Sequence, residues 1–525
     1  MEQVGGRDIA DILDLDSVAY LDDLEETLVR LQSNGRSIAG LKIQSDSWIA
    51  GTGLAIAKSE CLKGLIIEID SDGRWPIELG TWLTCNETIE AFKLDIGIEA
   101  VPGVVSFFAP FVLNDRNLRS IEIRNYFDDK DHMLSSLAFA LTNCKSKKLK
   151  DVTIVWSRSA RDEEVAELFR SFNGKRSLST ISYQNCRLER LGCKALADLL
   201  KNQSSTIKSL FLHGNDIDSD NIAILCDALT KNKSLRILFT SGTRLSVSSC
   251  FSLSTALSHP MIVVTHLVLD EAGIEDDGIS FLCEILINNK TLRCLSLAGN
   301  ESITMVGWRA FSRCLEKSYS SIVDLTLDSC NIDDEGVATI AAALAANTSL
   351  RYLSMNKNSR ITFKGLITFF NLLLDNKSVL EILYMTGNNI AGNRTKGEDR
   401  GILSRALCDK TCISSTYESN HTFYELTIDE SIREEIQTLL DMNNALDAEI
   451  TARGKILTYH FASGNTGINA LACLHETAMP NAIEWIGREQ DGYSAMFDFV
   501  QRFPTLFDVS SSKQIRSRCR KRKYR

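Results

Sequence analysis

One short phrase, written eight times, governs what this chain can fold into. A clean copy is Ile322-Val323-Asp324-Leu325-Thr326-Leu327-Asp328-Ser329-Cys330-Asn331-Ile332. Leu or a stand-in fills places one, four and six. Asn, Cys or a small residue fills place nine, and an apolar residue closes the phrase. The copies start at Leu178, Ile207, Leu235, Val264, Leu292, Ile322, Leu350 and Leu380, at spacings of 28 to 30 residues. A fixed period of this size predicts a solenoid of stacked units rather than one globular core.

A second code runs between the phrases. Counting from the closing apolar residue, apolar side chains recur at offsets of five, eight, nine and twelve. After Ile332 these are Val337, Ile340, Ala341 and Leu344; after Ile361, Leu366, Phe369, Phe370 and Leu373; after Ile274, Ile279, Leu282, Cys283 and Leu286. Such spacing marks one face of an α-helix. Each unit is therefore strand, turn, helix, loop, and buries its apolar face only by stacking on neighbours.

From Leu149 to about Phe423 the chain resembles the ribonuclease-inhibitor-like class of leucine-rich repeats. The resemblance implies an α/β solenoid, a right-handed horseshoe with a parallel inner sheet and helices outside. It also implies a role in protein binding, and it implies no enzymatic activity, cofactor or small-molecule substrate.

Five segments are expected. Residues 1–36 form an acidic N-terminal cap, with a helix at 8–33 carrying Ile9, Ile12, Leu13, Leu24, Leu28 and Leu31. Residues 37–148 hold degenerate repeats whose strands read Ile38/Leu41/Ile43, Leu62/Leu65/Ile67, Ile89/Phe92/Leu94 and Leu118/Ile121/Ile123. Residues 149–423 hold the regular repeats, interrupted by an insertion at 391–401. Residues 424–508 read as a C-terminal helical module, and its Trp485 helix, with Ser419-Asn420-His421-Thr422 just before residue 424, resembles the module of uncharacterised algal leucine-rich repeat proteins. Residues 509–525 lack an apolar pattern and read as a disordered basic tail.

The net charge is −10, and the eight bases of 513–525 make the rest of the chain more acidic still. The body is thus no electrostatic match for nucleic acid. The tail residues Arg516, Arg518, Arg520, Lys521, Arg522, Lys523 and Arg525 could bind phosphates without sequence preference, or serve as an import signal. The cysteines number 15, an odd count, and several sit at buried places of the repeat, such as Cys186, Cys283 and Cys330. With no signal peptide ahead of Asp8, reduced thiols and a cytoplasmic or nuclear location are expected. No apolar run reaches the length of a membrane span.

Chemistry-bearing patterns are absent. The seven histidines form no zinc-ligand spacing, and no phosphate loop or Gly-x-Ser-x-Gly elbow occurs. Cys408 and Cys412 lack a second pair for a metal. Sequons at Asn202, Asn232, Asn289, Asn347 and Asn376 each fall in the loop entering a strand, where Asn makes turn hydrogen bonds.

Side chains alternate along a strand, so places three, five and seven face the concave side. Two aromatic spots emerge there. One is Phe211 and Phe239 with Ile237, His266 and Val268, beside His213 and Asp270 at the seventh place; the other is Tyr352 and Tyr384. Phenylalanines expected to face solvent point to a protein partner. The reading is a non-catalytic intracellular scaffold that binds a protein on its concave strands. Two alternatives share the repeat class. Regulators of the Ran GTPase-activating type carry an acidic C-terminal tail, opposite in sign to this one. Ubiquitin-ligase recognition subunits carry an adaptor-binding helical module. GTP hydrolysis and ligase pull-down distinguish them.

Overall fold

The computed structural model describes residues 18–20, 40–44, 52–69, 79–97, 104–126, 133–156, 160–316, 321–374, 378–390, 400–411, 413–429, 434–445, 448–456 and 458–459. The chain divides into two units, Met1–Asn331 and Ile332–Arg525.

The first unit carries β1 (Val18–Tyr20), β2 (Gly40–Gln44), β3 (Gly64–Ile69), β4 (Ala91–Ile96), β5 (Ser120–Asn125), β6 (Asp151–Trp156), β7 (Thr180–Gln184), β8 (Ser209–Phe211), β9 (Ile237–Phe239), β10 (His266–Val268), β11 (Cys294–Ser296) and β12 (Asp324–Thr326). Each pairs in parallel with the next in sequence order. A helix follows nearly every strand, as parallel pairing requires a crossover. The second unit repeats the scheme with β13 (Tyr352–Ser354), β14 (Ile382–Tyr384) and β15 (Glu425–Thr427), again parallel.

The leucine places make the core. Leu210, Leu238, Leu267, Leu295 and Leu325 at place four are buried, each in register with the next. The helix code is buried with them: Val337, Ile340, Ala341 and Leu344 in one helix, Leu366, Phe369, Phe370 and Leu373 in another. The drifting early repeats obey the same rule, with Leu65, Ile67, Phe92, Leu94, Ile121 and Ile123 buried.

Place nine shows why Asn recurs. Asn215 Nδ2 donates to the carbonyls of Tyr183 (2.6 Å) and Leu212 (2.8 Å), and its Oδ1 accepts from the Cys186 N–H at 2.9 Å. Asn300 does the same with Leu269 (3.0 Å), Leu297 (2.7 Å) and Ile274 (3.0 Å). One buried amide thereby satisfies backbone groups of two repeats, which otherwise would be costly orphans. Place eight is left-handed throughout: Gly214, Gly242, Gly299 and Gly387 have φ of 70 to 76°, and Asn185, Glu271, Ser329 and Lys357 share that region. Glycine adopts it without the Cβ penalty.

The loop asparagines also do structural work. Asn232 Nδ2 donates to Leu200 O (2.8 Å) while Oδ1 accepts from Leu235 N–H (2.7 Å); Asn289 binds Leu257 O and Leu292 N–H at 2.7 and 2.6 Å. Both side chains are buried, so neither amide is open to a glycan. Asn86 and Asp115 hold the same turns in the early repeats.

Two expectations need correction. Within the proposed N-terminal helix, residues Val18–Tyr20 form a strand paired with β2. A β-branched residue and a tyrosine at a sheet edge outweigh the helical spacing around them. The rest of the helix, at 8–17 and 21–33, lies outside the described residues. Second, the repeat code does not stop at 423. Phe423 and Leu426 are buried, β15 pairs with β14, and Asn420 Oδ1 accepts from Phe423 N–H at 2.8 Å, as Asn289 Oδ1 does from Leu292 N–H at the entry to β11. The insertion after Ile390 stretches the period and hides this last phrase. The helices Glu434–Ala445 and Ala448–Ile456 follow. The insertion at 391–399, the Trp485 helix and the basic tail Arg516–Arg525 lie outside the described residues.

No disulfide joins any two described cysteines. Burial pushes the thiols of Cys186, Cys226, Cys294 and Cys330 up to about 12, and that of Cys250 up to about 11. Thiolate is the reactive form, so these positions should alkylate slowly in native protein near neutral pH. Among the described cysteines, exposed Cys85 should label first. Differential alkylation with mass analysis checks this; fast native labelling of Cys186 or a disulfide-linked Cys186 peptide would refute it.

Candidate binding site

The sheet face turned away from the helices carries the candidate residues in three columns. At place five, parallel pairing sets Ser182, Phe211, Phe239 and Val268 side by side. The Phe211 and Phe239 rings meet at 4.8 Å between centroids, tilted by 46°. They form the single apolar step that the repeat spacing implies. Their exposure differs from expectation. Phe211 is only 3% exposed, and Phe239 is half-buried. Neighbouring strands wall the middle column on both sides, so Val268, Ser296 and Thr326 are buried as well. Phe211 is thus a supporting ring, and Phe239 is the one that offers an edge to solvent.

The outer columns are half-buried at Ile237, His266, Asp324, His213 and Asp270, while Cys294 is buried. Ile237, His266, Cys294 and Asp324 align at place three. His266 Nδ1 lies 2.8 Å from the Thr265 hydroxyl, and burial lowers the pKa of both His266 and His213. Both rings are therefore neutral near pH 7 and do not neutralise the nearby acids. Asp270, at place seven, accepts from the Ser296 hydroxyl and from the Ala298 N–H at 3.0 Å. Burial raises its pKa, and those two donors oppose the rise. Burial raises Asp324 too, and its Oδ1 is a buried acceptor with no hydrogen-bond donor. Column-reading alone gave Asp324 no role. Its signal was the place-three position of a carboxylate, where side chains face away from the helices.

The early repeats present a different face. Lys42 pairs with Glu68 at 2.8 Å, Lys93 with Glu122 at 3.3 Å, and Arg124 with Glu122. The first two pairs join adjacent strands and the third lies within β5, so these charges satisfy one another rather than a ligand. The ladder escaped the sequence reading, although alternating charge at places five and seven spells it out.

In the second unit Tyr352 and Tyr384 meet edge to face, at 5.2 Å and 77°. The Tyr384 hydroxyl donates to Glu425 Oε1, which holds the phenol well above its usual range. Its polar end is thereby committed, and the ring flanks remain half-exposed.

No group of described residues is arranged to hold a metal ion, and no described helix is long and apolar enough to cross a membrane. A leucine-rich repeat family model matches residues 288–312 and 320–341. "NACHT, LRR and PYD domains-containing protein 13" of Homo sapiens is 27% identical over 355 residues, which is 62% of this chain and 32% of that protein. The ribonuclease inhibitor of Mus musculus is 27% identical over 237 residues, 40% of this chain and 52% of the inhibitor. The chain thus spans about a third of the first relative and about half of the second. A chain from the crystal structure of the Rad7 and Elc1 complex in yeast aligns over 74% of this chain and 89% of its own, with 15% identity and a TM-score of 0.34. By its repeat and its parallel strand–helix units this chain is a leucine-rich repeat solenoid, and it is similar to the ribonuclease-inhibitor-like class.

Proposed function

We propose that the chain is a non-catalytic scaffold that binds a protein partner on the strand face of its first unit, between β8 and β12. The observation that carries the reading is the Phe211–Phe239 step with the unmatched Asp324 carboxylate two strands beyond β10. An apolar edge with a carboxylate three strands further along the same face fits a partner segment with an apolar anchor and a separate N–H donor. Asp270 adds a second carboxylate and His266 a neutral ring. The relatives lend support, since one bears the name ribonuclease inhibitor. The partner is a protein; no small-molecule substrate, cofactor or sequence-read nucleic acid enters the proposal, and the place of action is the cytoplasm or nucleus.

The test is affinity purification of the full chain with mass spectrometry, run beside Phe239→Ser and Asp324→Ala. A partner enriched by the wild type and lost by both variants supports the surface. A partner retained equally by all three rejects it. A second reading rests on Tyr352 and Tyr384, the other aromatic pair with half-exposed rings; Tyr352→Ser is its own arm of the same experiment.

A further inference from the structure

A fully buried ammonium group lies at the last repeat of the second unit. Lys455, on the helix Ala448–Ile456, is 0% exposed. Its Nζ donates to the carbonyl of Leu407 at 2.5 Å and of Asn420 at 3.2 Å, and a third N–H faces His421 Nδ1 at 3.2 Å. Leu407 ends the helix Arg400–Leu407, where carbonyls lack helical partners and a cation is favourable.

These partners fix the tautomer of His421. Its Nε2 lies 3.1 Å from the Tyr417 carbonyl. A carbonyl only accepts, so Nε2 carries the proton; an ammonium only donates, so Nδ1 carries none. The ring is the neutral Nε2–H form. Burial, then the Lys455 charge, hold its pKa down at about 4. Burial also lowers Lys455 to about 8, against the pull of the Cys408 thiol.

The surroundings hold little other charge. Among the described residues, Lys455 is the charged side chain acting on the ring, while Lys410 and Asp409 act on Cys408 beside it. The helix Glu434–Ala445 turns a neutral group this way: the Asn443 amide, donating to Phe423 O at 2.6 Å and Asn420 O at 3.4 Å. From the lysine's own helix, the Thr451 hydroxyl donates to Met442 O at 3.2 Å.

We propose that Lys455 and His421 form an acid-sensitive clasp, which holds the helix Ala448–Ile456 on the last repeat and opens when His421 takes a proton. A second ring proton would set Nδ1–H against the lysine N–H, two donors and two positive charges with no acceptor between them. Lys455 has no solvent exposure while docked, so it reaches water only by leaving. Leaving uncovers Ile456 and Ala452, both now buried.

The direction with pH follows from linkage. The docked ring has a pKa below its undocked value of 6.5. The undocked state therefore binds more protons between those two values. The His421 contribution to the clasp is complete above about pH 6.5 and is lost as pH falls toward 4, by up to about tenfold in the opening constant per pH unit, whereas the lowered Lys455 pKa makes itself felt only above about pH 8.

Hydrogen exchange on the full chain tests this, compared at about pH 7.5 and about pH 5, either side of the free imidazole pKa. Peptides covering 448–456 are read against β10, each corrected for intrinsic exchange. Protection at 448–456 should fall about tenfold or more while β10 holds. His421→Gln keeps an acceptor for Lys455 and a donor for Tyr417 but cannot take the proton, so its protection should not change with pH. A wild type insensitive to pH, or a variant as sensitive as the wild type, overturns the clasp. If His421→Gln does not fold, ring titration by nitrogen NMR on the wild type decides. An Nε2–H ring titrating near 4 supports the clasp; an Nδ1–H ring, or one titrating near the free value, overturns it.

Discussion

Leu267→Ala is expected to cost roughly 2–5 kcal/mol of stability. Leu267 is buried at place four of β10, in register with Leu238 on one side and Leu295 on the other. Truncation leaves a void in an unbroken row of leucines, and β-strands pinned by backbone pairing cannot collapse to fill it. In a solenoid each repeat couples mainly to its neighbours, so the damage should concentrate in β9 to β11. Denaturation read globally, with hydrogen exchange read locally, checks both statements. A loss below about 0.5 kcal/mol would mean that Leu267 does not face the helices. Equal loss of protection in β3 and β10 would mean that the repeats melt as one block.

That leucine row was legible in the sequence because each place of the phrase has one structural job. Leu267 and Leu325 must turn toward the helix, Asn300 must bridge two repeats, and Ile279 must face the sheet. Period and alternation specify such jobs directly. Burial within the outward face was not legible. Alternation places Phe211 and Phe239 on the same face, yet only the neighbours decide that one is covered and the other half-open. The charge ladder of Lys42, Glu68, Lys93 and Glu122 was missed for a related reason. Each residue alone reads as an ordinary solvated charge, and only strand register makes them partners. The strand Glu425–Thr427 was missed because an insertion moved it out of phase, and Val18–Tyr20 because three residues carry too little pattern to outweigh a helical frame. The clasp of Lys455 and His421 joins residues far apart in sequence, with no motif to announce it.

The unequal burial of the two phenylalanines predicts that they fail in different ways. Phe211→Ser should cost roughly 3 kcal/mol of stability, because a buried ring is replaced by a void and a hydroxyl. Phe239→Ser should cost much less in folding, since part of that ring already meets water. Its effect should fall on binding instead. Aromatic side chains at interfaces bury much area at small entropic cost, so losing the Phe239 edge should weaken a partner seated on this face by at least about 2 kcal/mol, roughly thirtyfold. The Phe211 ring supports that edge from 4.8 Å away. Phe211→Leu, which keeps apolar bulk without the flat ring, should therefore fold well and bind with an intermediate loss. Urea denaturation and titration calorimetry with the purified partner separate the two effects. Wild-type stability in Phe211→Ser would show that the ring is not part of the core. Wild-type affinity in a folded Phe239→Ser would move the partner off this face, to Tyr352 and Tyr384 or to another surface of the chain.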